Sequence, residues 1–293
     1  MTYSMKNILW ATDFSAKATN SLTYAVLFAK AFRAKITAVH VQPELDPTLL
    51  ESKPAILEAI YVQAGINLGK ARKQLDDLAA KKGVRFSKIL IESGSTAKKI
   101  VEVAAREKSD LIVIGKTGLS AIEKVLVGSV ANAVLRHAPA PVLIAGNRKA
   151  YPGIRKILVP TDFSEREEVE RDFAWSLASA FRADLTLLHA VVLHDYRIAL
   201  EQAESLLLDV LERLKKRKAR EKKGFQVHEE VVRARNAAAG IVSFAEDNKF
   251  DLIAISTATH SKLARFFLGS NTERVISYSE IPIFAIPAVC SED

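Results

Sequence analysis

Short apolar runs alternate along this chain with longer segments whose apolar positions recur every three or four residues, the spacing of one helix face. In the first copy of this pattern the runs predict strands near 6–12, 35–42, 85–92, 110–115 and 141–146. Helical patterns fill 16–32, about 54–82, 96–107 and 129–137. The run at 111–114, Leu-Ile-Val-Ile, has no polar residue to turn toward water, which predicts a strand covered on both faces. Parallel strands joined by helices require right-handed crossovers, with helices above and below the sheet.

The pattern then begins again. KNILWATDFS (6–15) returns as KILVPTDFS (156–164), and AFRAKITAVHV (31–41) as AFRADLTLLHA (180–190). Asp110-Leu-Ile-Val-Ile is echoed by Asp251-Leu-Ile-Ala-Ile, and Gly128-Ser129 by Gly269-Ser270. The offset is 149 at Thr12/Thr161 and His40/His189, and 141 at Asp110/Asp251 and Gly128/Gly269, so the second copy lacks eight residues between its second and third strands. A tandem duplication follows. The expected fold is α/β, with two tandem doubly wound domains at 1–148 and 149–293, each a five-stranded parallel sheet with helices on both faces. GNRKAYPGIR (146–155) reads as the linker between them. Ligands of such sheets sit at the carboxyl ends of the strands, beside the switch point.

At 293 residues, 49% hydrophobic and 26% charged, the chain has the composition of a globular protein with two cores. No apolar run reaches the roughly 18 residues of a membrane span, and Asp13 interrupts the one apolar run near the N-terminus, so a cytoplasmic protein is expected. Cys290 stands alone, which excludes an intrachain disulfide or a cysteine-rich metal site. The net charge of +8 is uneven: residues 1–150 carry +10 and the remainder −2. A basic first half suits an anionic ligand. Its lysines are scattered on polar faces without interleaved arginine and aromatic residues, which argues against nucleic acid. KKRK at 215–218 lies in a charged helical pattern, 206–223, interleaved with acids, and reads as a solvated face.

Two places carry candidate chemistry. After the run at 111–114, Gly115 and Gly118 open a turn, and Gly128-Ser129 stands directly before another helical pattern. Glycines admit close approach of a ligand, and a Gly-Ser pair at a helix start offers N–H groups and a hydroxyl to an anion. The alternative is two unrelated turns. Thr12 and Asp13 follow the first strand, where a carboxylate can accept from a ribose hydroxyl or an adenine amine; Asp13 or Ser15 would also cap the next helix regardless of function. Lys116, inside the glycine loop, reads either as added positive charge or as a solvated side chain.

The spacing Gly115-x-x-Gly118, then nine residues, then Gly128-Ser129, resembles the nucleotide motif of the universal stress protein family. TDFS after the first strand, His40-Val41 ending the second and RHAPAPVLI (136–144) before the last are similar to that family too, and the resemblance covers both halves. It implies ATP, with or without magnesium, as ligand. Thr12 and Asp13 would meet the adenosine and the Val41 backbone the adenine edge. Ile114, Gly115, Thr117 and Gly118 would pass under the ribose and phosphates. Gly128, Ser129, Val130 and Ala131 would hold the phosphates. The resemblance also implies that the halves pair through their last strands, Val142–Ala145 and Ile283–Ile286, as an intrachain pseudo-dimer, with further homodimerisation open.

The second copy departs from the motif. Ser256 and Thr259 replace Gly115 and Gly118, Arg235 replaces Gly94, and Thr272 stands for Ala131. Thr161, Asp162, Gly269, Ser270 and Thr272 would form at most a second, weaker site. There is no GxxxxGK[ST] run, and no nucleophile–base pair can be assembled; His40 and His189, at matching strand ends, are expected to be packed. The expected function is an ATP-binding regulatory module rather than an enzyme. A nucleotide-independent interaction scaffold and a slow ATPase are the alternatives. The segment 42–65, with Pro43, Pro47 and Pro54, reads as a loop able to arch over the site.

Overall fold

The computed structural model describes residues 3–42, 54–116, 128–146, 153–161, 167–192, 212, 225–257 and 269–287, with the backbone alone for 54–67 and 167–171. In chain order the first half comprises β1 (Asn7–Ala11), α1 (Ala16–Phe32), β2 (Lys35–Gln42), α2 (Pro54–Lys82), β3 (Lys88–Ser93), α3 (Thr96–Arg106), β4 (Leu111–Gly115), α4 (Ser129–His137) and β5 (Val142–Ala145). The second comprises β6 (Lys156–Pro160), α5 (Glu167–Phe181), β7 (Asp184–Val192), β8 (Val227–Ala234), α6 (Ala237–Asp247), β9 (Leu252–Ser256), α7 (Ser270–Tyr278) and β10 (Ile283–Ile286). The third strand begins at Lys88, three residues later than the apolar run suggests. Helix α2 begins at Pro54, which removes 54–65 from the expected loop, and its remainder, 43–53, lies outside the described residues. So do nearly all of the 206–223 pattern and residues 147–152 of the expected linker.

The strands form one ten-stranded sheet in the order β3-β2-β1-β4-β5-β10-β9-β6-β7-β8. All neighbours are parallel except β5 and β10, which run antiparallel with Phe284 opposite Leu143 and Ile283 opposite Ile144. Each half is thus a five-stranded parallel sheet, and the expected pairing of the last strands fuses the two. The central strands are buried on both faces, as their uninterrupted apolar runs require. Their alternation divides the core into two layers. Leu9 and Ala11 face one layer, with Val103, Val134 and, from the second half, Ile241 and Val275. Ile8 and Trp10 face the other, with Phe28, Phe173 and Phe284. Both layers run across the join. Phe284 lies 6.0 Å from Phe28 and 6.1 Å from Phe173, ring centre to ring centre, so it touches helices of both halves.

Local chemistry sets the ends of these elements. Ser15 caps α1, its Oγ accepting from the Ala18 N–H at 3.1 Å, and Asn236 caps α6 in the same way at 2.8 Å. Asp110, just before β4, accepts from the Lys6 and Asn7 N–H groups at 2.7 and 2.8 Å and so ties the start of β1 to that of β4. Asp251 repeats this in the second half, accepting from Arg155 and Lys156 at 2.8 and 3.0 Å. Among the described residues no helix is long and apolar enough to cross a membrane.

Candidate functional site

The sheet order reverses between β1 and β4, which opens a crevice at their carboxyl ends. Trp10 stands opposite Val113 and Ala11 opposite Val39. Counting on, Thr12 reaches the height of Gly115, and Asp13 that of Val41. The register therefore gathers Thr12, Asp13, Val41, Ile114 and Gly115 around one switch point. Thr12, Val41 and Ile114 are buried, and Asp13 is half-buried.

Beyond β1 the chain turns sharply. Phe14 adopts φ 62°, a left-handed conformation costly for a bulky residue. The Thr12 Oγ1 accepts from the Phe14 N–H and the Asp13 Oδ1 from the Ser15 N–H, both at 3.0 Å. The Asp13 carboxylate thus shapes the turn, and of the two candidate caps it is Ser15 that caps α1. The His40 Nδ1–H donates to the Thr12 carbonyl at 2.8 Å, and the ring rests 4.5 Å from Phe14. His189 donates to the Thr161 carbonyl at 2.7 Å. The two histidines are packed, hydrogen-bonded braces for the turns.

Gly115 has a structural reason to be glycine. A Cβ there would lie 3.2 Å from the Ala18 nitrogen and 3.3 Å from the Lys17 carbonyl carbon, so the end of β4 presses against the first turn of α1. Thr117 and Gly118 lie outside the described residues. The chain returns at Gly128, whose N–H donates to the Lys116 carbonyl at 2.9 Å. That bond engages one of the N–H groups expected to face a phosphate. Ser129 and Val130 are exposed at the start of α4, Ala131 is buried, and no side chain caps this helix. The N-terminal end of α4, with its partial positive charge, opens at the carboxyl end of β4.

Lys116 corrects both sequence expectations. Its side chain is only 2% exposed and reaches into the second half. The Nζ donates to the carbonyls of Ser277 at 2.6 Å and Ser279 at 2.9 Å. Burial is the main influence holding its pKa below the usual 10.5. Sequence reasoning missed this contact because nothing local to Lys116 signals it. The one available hint was the contrast with Thr257, its counterpart, whose hydroxyl stays home on the Ile286 carbonyl at 3.3 Å.

The second crevice is built differently. Thr161 follows β6, and Asp162 and Thr259 lie outside the described residues. Gly269 precedes α7 and Ser270 is exposed at its start, again without a side-chain cap. Thr272 is buried and spends its hydroxyl on the Ser256 carbonyl at 3.0 Å. Glu273 sits in the first turn of α7, where α4 has no acid, and competes with any anion for the positive end of the helix. That difference was legible in the aligned copies as Asn132 against Glu273. Gly94 has φ 131°, whereas Arg235, its counterpart, is not among the positive-φ residues, so the third loop also takes a different path. Among the described residues no cluster of three His, Cys, Asp or Glu could hold a metal.

An open, mostly parallel α/β sheet whose strand order reverses in each half is the doubly wound architecture. The chain belongs to the universal stress protein family, whose model matches residues 5–146 and again 153–287. A universal stress protein of Synechocystis sp. is 27% identical over 312 aligned positions, covering 95% of this chain and 99% of the relative. A universal stress protein of Methanocaldococcus jannaschii is 32% identical over 149 positions, 49% of this chain and 84% of the relative. Among solved structures, a universal stress protein from Archaeoglobus fulgidus superposes with a TM-score of 0.69 at 20% identity, covering 97% of this chain and 99% of that one.

Proposed function

We propose that this chain is a cytoplasmic ATP-binding regulatory module in which the first half holds the nucleotide. The observation that carries the reading is the start of α4: exposed Ser129 and Val130, no side-chain cap, and the half-buried Asp13 carboxylate across the same switch point. The phosphates would lie on the Ser129 and Val130 N–H groups and the Ser129 hydroxyl, with the helix dipole supplying the positive end. Asp13 and the Val41 backbone would meet the adenosine. Magnesium would arrive with the phosphates, its usual companions, rather than in an all-protein cage. The second half binds weakly or not at all, because Thr272 is engaged and Glu273 occupies the dipole end.

Equilibrium titration of the purified protein with ATP tests this, with and without magnesium. Saturable binding, weakened by Asp13→Ala and by Gly128→Val, is the expected result, at one site per chain. Absence of binding at about 1 mM nucleotide, a threshold corresponding to roughly −4 kcal/mol, overturns it.

A further inference from the structure

Lys116 occupies a singular position. Its N–H donates to the Ala145 carbonyl at 3.2 Å and its carbonyl accepts from Gly128, so this residue ties the end of β4 to β5 and to the start of α4. Its side chain ends in the other half, on two carbonyls at the last turn and C-cap of α7. Those carbonyls form the negative end of a helix dipole, which is why a cation can be buried there. Glu280 and Glu246 lie close enough to favour its charge, and Lys17 opposes it.

The other end of α7 is also approached from the first half. Arg136, in the last turn of α4, stands 3.9 Å from Glu273, in the first turn of α7. These charges are not repeated in the other direction. The counterparts of Lys116, Arg136 and Glu273 are Thr257, Ser277 and Asn132, all uncharged. The first half thus supplies both cations and the second receives them, in keeping with the +10 and −2 of the two halves.

We propose that Lys116 is a positioning residue that couples the start of α4, where the phosphates would lie, to α7 of the second half, so that nucleotide binding at one is felt at the other. This rests on the nucleotide reading above. A phosphate seated on the start of α4 acts on the 116–128 rung, and the rung is continuous with the ammonium that holds the end of α7. Coupling of this kind is reciprocal, so the state of α7 feeds back on nucleotide affinity.

Amide hydrogen exchange on the full-length protein, with and without saturating ATP, reads the coupling directly. Wild-type protein should show exchange slowed about tenfold by ATP at residues 277–281, within the range of ordinary coupling energies. Lys116→Met should bind ATP about tenfold more weakly and lose the response at 277–281 while keeping protection at residues 129–132. Lys116→Arg, which retains a cation able to reach both carbonyls, should restore the response; it also serves if the methionine variant does not fold. ATP binding with unchanged exchange at 277–281 overturns the coupling alone, as does a response that survives in Lys116→Met. Failure of the wild-type protein to bind ATP overturns the nucleotide reading and the coupling with it.

Discussion

The antiparallel join of β5 and β10 makes the two halves one cooperative unit, and Phe284→Ala tests this. The ring is fully buried and packs on Phe28 of α1 as well as Phe173 of α5. Truncating a buried phenylalanine costs about 3–5 kcal/mol. Unfolding entropy near 2.1 cal/mol/K per residue gives roughly 0.6 kcal/mol/K for all 293 residues. A loss of about 4 kcal/mol therefore lowers Tm by about 6.5 °C if the chain melts as a whole. If the second half melts alone, with about half the entropy, the drop is about 13 °C. The chain has two tryptophans, Trp10 in β1 and Trp175 in α5, so each half carries its own fluorophore. Thermal melts in Trp10→Phe and Trp175→Phe backgrounds, each with and without Phe284→Ala, should show the same modest shift from both reporters. A large shift at Trp175 with none at Trp10 would refute the single unit.

Three further outcomes follow from the contacts. Asp110→Ala removes two backbone N–H bonds to a carboxylate and should cost about 2 kcal/mol in urea unfolding, with Asp251→Ala matching it closely; a change under about 0.5 kcal/mol would contradict the tie. Ser15→Ala deletes the α1 cap and should cost about 1 kcal/mol by the same assay. Lys116 has its pKa depressed by burial below 10.5, so between its folded value and 10.5 the unfolded chain binds the proton more tightly. Stability relative to Lys116→Met should therefore rise with pH across that window and stay level below it, and a fall there would reverse the sign of the argument.

The fold was legible because its central strands are buried on both faces, which leaves runs such as Leu111–Ile114 without alternation, and because each of the five strands of one half recurs in the other. The ends were less legible: β3 carries a half-buried pattern at the sheet edge, where periodicity is weak, and its start moved. The placement of Asp13 after a strand, and of Gly128 and Ser129 at the start of a helix, was legible. For Gly115 the sequence could not show that its close neighbour is the first turn of α1. Lys116 and Asp110 could not be assigned at all, because their partners lie more than a hundred residues away. Contacts that long in sequence are set by topology, and a local pattern carries no trace of them.

The junction at β5 and β10 also bears on how the assembly responds to dilution. Two separate chains meeting through such strands would associate by mass action and come apart when scarce. Here the second partner is tethered, so its effective concentration depends on the length of the connection and not on how much protein the cell holds. The sheet is complete at a single molecule. A tethered pair is also excused from self-complementarity: an identical pair must accept each interface residue twice, once from each side of its axis. Lys116 enters its partner's interior without having to make room for its own image coming the other way.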